Sequence, residues 1–108
     1  MDKSIENLYS TILDRKENKF ENSYTNYLFD KGIDKILKKF GEESVEVIIA
    51  AKNSDKNEQT EEFSDLIYHM LVLMAQLDIS TQDISNNIEL RNKKMGNLKT
   101  ERKDIEII

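Results

Sequence analysis

Glu43 and Glu46, followed by Glu62 and Asp65, form two carboxylate pairs with i, i+3 spacing. On a helix this spacing puts both side chains of a pair on one face. The pairs fall on successive predicted helices joined by a short polar connection, Lys52 to Gln59, so an antiparallel hairpin gathers all four carboxylates. Four such anions repel one another unless a cation sits among them. Hard oxygen donors favour Mg²⁺, with Mn²⁺ as a substitute, and Mg²⁺ is the usual partner of a phosphate substrate. The implied chemistry is a metal-assisted reaction on a phosphorylated molecule.

Acid-rich helix faces also occur as plain solvated surface, and Glu43 with Glu46 alone would fit that description. Glu62 and Asp65 fit it less well, because the rest of their helix is apolar and buried carboxylates demand cations or protonation. A di-iron bundle also turns acids inward, but it requires Glu-x-x-His motifs. His69 is the single histidine, and Leu66 stands three residues before it. That argues against iron and for an all-oxygen site. His69 itself reads as a hydrogen-bonded structural residue.

The elements that must position these acids follow from apolar periodicity. Ser4 is expected to cap a first helix reaching about Lys16, with Ile5, Leu8, Ile12 and Leu13 on its apolar face. Glu17 to Ser23 reads as a loop, Tyr24 to Phe29 as a short helix or turn, and Gly32 as a break that needs positive φ. A long helix is predicted over Ile33 to Ala51, with a stripe of Ile33, Ile36, Leu37, Phe40, Val47, Ile48 and Ala51, and with Val45 and Ile49 on a second apolar surface. Gly41 within it costs roughly 1 kcal/mol against alanine, and serves either a close approach or packing. The next helix, Thr60 to Leu77, is apolar round most of its circumference, with Glu62, Asp65, His69 and Gln76 as its narrow polar stripe. Such a helix is central, covered by other helices or by a second subunit, so a homodimer is expected. Ser80 and Asp83 resemble a capping box for a last helix ending near Met95 and Gly96.

Composition agrees with an all-α fold of four to five helices. The 108 residues include no proline and three glycines, and 34% are charged. Cysteine is absent, which excludes disulfides, thiolate metal sites and a cysteine nucleophile. No stretch has the length of a membrane span, and the first residues carry no apolar signal region, so a cytoplasmic protein without a membrane partner is expected. The net charge of −5 disfavours nucleic acid as a partner. Arg91, Lys93, Lys94, Lys99, Arg102 and Lys103 form a basic stretch, either a solvated tail or a set of cations that reach a polyanion. The expected organisation is one helical domain over residues 1–95 and a basic C-terminal tail over 96–108.

The pattern Glu42-Glu43-x-x-Glu46, followed by Glu62-x-x-Asp65, resembles the EExxE…ExxD motif of the all-α, MazG-like nucleotide pyrophosphohydrolases. The surroundings are more specific. Ser23-Tyr24-Thr25, Leu28-Phe29, Gly32, KILKKFGEE, VIIAAKN and DLIYHMLVLMA resemble the phosphoribosyl-ATP pyrophosphatases of histidine biosynthesis, over roughly residues 5 to 91. Ser44 and the Phe63-Ser64 pair depart from that pattern at positions that are not ligands.

The resemblance implies a stand-alone enzyme that hydrolyses phosphoribosyl-ATP to phosphoribosyl-AMP and pyrophosphate, with Mg²⁺-dependent attack of water at the α–β phosphate linkage. Glu43, Glu46, Glu62 and Asp65 are then the metal ligands, and Glu42 or Glu46 accepts the proton of the attacking water. Lys35, Lys38, Lys39 and Lys52 are candidates for the phosphates, with Lys39 favoured because it lies within the motif block. Two rivals stand beside this reading. One is a house-cleaning pyrophosphohydrolase of the same superfamily acting on (d)NTPs. The other is a non-enzymatic helical dimerisation module whose acids are surface decoration.

Overall fold

The computed structural model describes residues 3–97. Five α-helices follow one another: α1 (Ser4–Glu17), α2 (Tyr24–Lys31), α3 (Ile33–Ala51), α4 (Lys56–Gln76) and α5 (Thr81–Asn97). No strand occurs among the described residues, so the protein is all-α. The chain divides into two compact units, Met1–Asp78 and Ile79–Ile108. The basic tail expected over 96–108 lies outside the described residues from residue 98 onward.

The first unit is built on the α3–α4 hairpin, with α1 against α4 and α2 against α3 and α1. Ile12, Leu28, Ile36, Leu71 and Val72 are its fully buried large side chains, one or two from each helix. The connection is shorter than the sequence suggested. Asp55 accepts from the backbone N–H groups of Asn57 and Glu58 at 3.0 and 3.2 Å, so α4 begins at Lys56 and not at Thr60. Gln59 then donates from Nε2 to the Ala50 carbonyl (3.1 Å) and the Asn53 carbonyl (2.9 Å), tying the first turn of α4 to the last turn of α3.

Gly32 separates α2 from α3 at φ 91° and ψ −173°, a region open to glycine alone. That one residue turns the chain while α2 ends and α3 begins without a loop. The other end of α4 is held by α1. Lys16 Nζ donates to the Ala75 carbonyl (2.8 Å) and to Asp78 Oδ1 (2.9 Å), placing a cation at the C-terminal end of α4, where the helix dipole favours one.

Two expectations need correction. Lys3, not Ser4, occupies the N-cap of α1, and no side-chain cap bond forms there. The stripe expected on α3 is also only partly buried: Ile36 is inside and Phe40 and Val47 are half-buried, while Ile33, Leu37, Ile48 and Ala51 are exposed and Ala50, off the stripe, is buried instead. Within the first unit α3 packs towards α4 and α2, so among the described residues its remaining apolar positions stay exposed. In the second unit, the capping box of α5 forms as the sequence indicates. Ser80 Oγ accepts from Asp83 N–H at 3.0 Å, and Asp83 Oδ2 accepts from Ser80 N–H at 2.9 Å.

Asn26 is a buried polar residue without a sequence signal. Its Nδ2 donates to the carbonyls of Arg15 (2.6 Å) and Asn18 (3.0 Å), and its Oδ1 accepts from Phe20 N–H (2.7 Å). One amide thus closes the end of α1 and the loop after it. Asn26→Ala leaves all three backbone groups unpaired and should cost about 3 kcal/mol, read as a fall in Tm of roughly 10–20 °C. Asn26→Asp should do no better, because a carboxylate has no hydrogen to give either carbonyl.

No helix among the described residues is long and apolar enough to cross a membrane.

Candidate functional site

The hairpin brings the acids of α3 and α4 to one open cleft of about 510 Å³, lined by Lys39, Glu42, Glu43, Glu46, Glu62 and Asp65. On α3, Lys39, Glu43 and Glu46 follow at i, i+4 and i+7, the spacing of a single helix face, with Glu42 at its edge. On α4, Glu62 and Asp65 lie one turn apart. All four carboxylates expected as metal ligands therefore line the same cleft.

Three of them converge more closely. One carboxylate oxygen each from Glu43, Glu62 and Asp65 lies within 4.8 Å of the others. An octahedral Mg²⁺ holds its oxygens at about 2.1 Å and so about 3–4 Å from one another, a spacing this trio reaches with small side-chain movements. The donor set is all oxygen. His69, the one nitrogen donor nearby, is engaged elsewhere: Nδ1 bonds the Asp65 carbonyl at 2.8 Å and Nε2 bonds the Tyr24 hydroxyl at 3.1 Å. A carbonyl can only accept, so Nδ1 donates to it, and in the neutral imidazole Nε2 then accepts from the Tyr24 hydroxyl. His69 is a structural link between α2 and the turn of α4 that carries Asp65, as its sequence context suggested.

The electrostatics describe an anionic cluster short of positive charge. Glu62 is held above the ordinary glutamate pKa by desolvation and then by the charges of Glu46, Asp65, Glu43 and Glu58. Among the described residues Lys39 is the single cation lining the cleft, 3.4 Å from Glu42 Oε1. Burial works against its charge, but Tyr24, Glu42 and Glu43 outweigh that and raise its pKa.

The four candidate lysines separate. Lys39 lines the cleft, whereas Lys35, Lys38 and Lys52 do not. Lys35 lies 5.9 Å from the centre of the Tyr27 ring. Lys38 is exposed, about 100° round the helix from Lys39. Lys52 caps the C-terminus of α3 at the hairpin turn. The departures from the motif pattern are locally satisfied. Ser44 Oγ donates to the Phe40 carbonyl and Ser64 Oγ to the Thr60 carbonyl, each within its own helix. Gly41 is exposed, with nothing within 4 Å of where a Cβ would stand.

Tyr24, Tyr27 and Tyr68 form a second feature beside the acids that periodicity did not single out. The Tyr24 ring stacks on Tyr27 (5.9 Å, 25°) and on Tyr68 (6.1 Å, 28°). The Tyr68 hydroxyl hydrogen-bonds Thr25 Oγ1. Burial raises the pKa of both Tyr24 and Tyr68, which keeps both phenols neutral. The Ser23-Tyr24-Thr25 block was the available signal: Ser23 caps α2, Tyr24 reaches His69 and Thr25 reaches Tyr68.

Known proteins agree along nearly the whole chain. Residues 5–92 match the family described as "Phosphoribosyl-ATP pyrophosphohydrolase". The chain is 61% identical to a "Phosphoribosyl-ATP pyrophosphatase" of Clostridium novyi over 96% of its own length and 94% of that protein's. It is 53% identical to one of Clostridium acetobutylicum over the full length of both. It is also 57% identical, over 83% of its length, to 44% of the "Histidine biosynthesis bifunctional protein HisIE" of Caldanaerobacter subterraneus.

Proposed function

The chain belongs to the phosphoribosyl-ATP pyrophosphohydrolase family, and from that premise we propose how its cleft works. The reaction is hydrolysis of phosphoribosyl-ATP to phosphoribosyl-AMP and pyrophosphate. The observation that carries the mechanism is the convergence of Glu43, Glu62 and Asp65 within 4.8 Å in a cleft that Lys39 also lines.

We propose Mg²⁺, with Mn²⁺ as substitute, as the cofactor held by these three carboxylates, with Glu46 at the edge of the set. When bound, the ion supplies neutralisation of phosphate charge and a more acidic water. The chain's own groups do the rest. Lys39 takes a phosphate oxygen at the cleft wall. Glu46, on the same face as Glu43, accepts the proton of the water that attacks at the α–β linkage. Glu42 is the weaker choice as base, because Lys39 already engages its Oε1. Lys35, Lys38 and Lys52 stand outside the cleft lining and so leave Lys39 as the phosphate contact nearest the acids.

Purified protein with Mg²⁺ should release pyrophosphate from phosphoribosyl-ATP and fall silent with a chelator. A dNTP panel run beside it decides the substrate. Turnover of dNTPs in preference to phosphoribosyl-ATP would overturn this reading in favour of a house-cleaning enzyme. A protein with no Mg²⁺-dependent rise in Tm would instead fit the non-catalytic helical module.

We further propose a homodimer. Phe63, Leu66, Met70, Leu73 and Leu77 repeat on α4 at alternating three- and four-residue spacing, the pattern of a helix–helix seam. Phe63, Met70 and Leu77 are nonetheless exposed, Phe63 by 52%. Leu37, Gly41, Val45 and Ile48 form a comparable stripe on α3 and are exposed as well. A second copy of the chain is the partner that this self-complementary surface fits. The cytoplasm, where ATP-derived nucleotides are made, is the proposed location, with no nucleic-acid partner.

A further inference from the structure

The cleft accounts for the triphosphate end of the substrate and leaves its other end without a seat. Phosphoribosyl-ATP differs from ATP by a second ribose phosphate on the adenine ring. Whatever selects it must recognise a purine and a phosphate lying beyond the α-phosphate, away from the scissile bond.

We propose that Tyr24, Tyr27, Lys31 and Lys35 form that subsite, with the tyrosine rings against the purine or its second sugar and the two lysines on the second phosphate. The inference rests on the substrate reading above and names the residues that make it selective. Three observations carry it. First, the position is right. Lys35, Lys39 and Glu43 follow one another at four-residue steps on one face of α3, so Lys35 lies about 12 Å along the helix from the acid cluster. That is the scale of a nucleoside, and it places a cation where a second phosphate would arrive.

Second, the cations are uncommitted. Arg15, Lys16 and Lys19 each pair with a carboxylate, at 2.6–2.9 Å. Lys31 and Lys35 come from two different helices and each lies 5.9 Å from the centre of the same Tyr27 ring. Neither forms an ion pair among the described residues. With no carboxylate neutralising either ammonium, both are available to an anion that arrives beside the Tyr27 ring.

Third, the aromatic surface is open and rigid. Tyr24 is 44% and Tyr27 40% exposed, although their rings are stacked. Tyr24 is fixed from behind by Tyr68 and by its hydroxyl on His69, which is itself bonded to the Asp65 carbonyl. The platform is thus tied to the turn that presents a carboxylate of the cleft. A base stacked on it would be positioned relative to the reacting phosphate.

The test uses the full chain with Tyr27→Leu, Tyr27→Phe and the double variant Lys31→Gln, Lys35→Gln, each checked for unchanged helicity. The double variant should raise KM for phosphoribosyl-ATP about tenfold, with kcat within about twofold. Its affinity for ribose 5-phosphate, measured by calorimetry, should fall alike, while affinity for pyrophosphate with Mg²⁺ stays unchanged. Tyr27→Leu should raise KM about fivefold or more, and Tyr27→Phe, which keeps the ring, should not. Unchanged KM in these variants, or a loss confined to pyrophosphate, overturns the subsite. Failure of the substrate reading looks different: the unaltered protein then releases no pyrophosphate from phosphoribosyl-ATP. In that case ribose 5-phosphate binding alone decides whether the lysine pair holds a sugar phosphate.

Discussion

Glu62→Gln should lower turnover by about a thousandfold or more, while the metal-free variant is more stable than the unaltered chain at neutral pH. The two halves have one cause. Glu62 stands among Glu46, Asp65, Glu43 and Glu58, and desolvation together with their charges raises its pKa in the folded protein. A carboxyl whose folded pKa exceeds its unfolded one binds protons more tightly when folded. Its ionisation therefore removes stability as pH rises from the ordinary carboxylate range through the raised value, and the deficit is complete above that. Gln carries no charge and escapes it. The same change replaces one of three converging carboxylates by a neutral amide, so Mg²⁺ should raise the Tm of the unaltered protein far more than that of the variant. Proton competition gives the matching pH dependence: the Mg²⁺-induced rise should shrink on acidification, starting above the pH at which a free glutamate titrates. Thermal scans of both proteins, with and without Mg²⁺, between pH 4 and pH 8 (about the span of carboxylate titration and beyond) check all of this. A variant that keeps full activity would sink the assignment of Glu62 as a ligand.

Phe63→Lys combined with Met70→Lys should convert a dimer into a monomer, read by sedimentation equilibrium as a halving of mass. Both residues lie on the exposed seam of α4, one heptad apart. An apolar face of this kind stabilises association by roughly 25 cal/mol per Å² removed from water. Two facing pairs of lysines replace that gain with desolvation and repulsion at the centre of the contact. The exposed positions make little contact inside the first unit, so the monomer should retain its helicity. If the unaltered chain sediments at a single-chain mass at micromolar concentration, the seam is not a dimer interface.

Much of the fold was legible because helices are locally encoded. The bounds of α3 follow from Gly32 and the polar turn after Ala51, and the start of α5 follows from Ser80 and Asp83. The start of α4 was misplaced by four residues because apolar periodicity begins later than the Asp55 cap. Burial was the least legible property. Periodicity identifies an apolar stripe but not its partner, so Ile48 reads as core and is 60% exposed. Asn26 carried no sequence signal at all, because its partners are backbone groups of another segment.

The site divides along the same line. Residue type and i, i+3 spacing by themselves determined that two acid pairs share helix faces, that no Glu-x-x-His exists for iron, and that the surrounding blocks match one family. Only the tertiary structure decided which oxygens meet. It drew Glu43, Glu62 and Asp65 together, left Glu46 and Glu42 in the cleft lining but outside that trio, and separated Lys39 from Lys35, Lys38 and Lys52. The reason is that spacing along one helix fixes direction but not the rotation and register of the next. Those depend on the Asp55 cap, the Gln59 bonds across the hairpin and the buried contacts beneath it, all of which are set between segments and not within one.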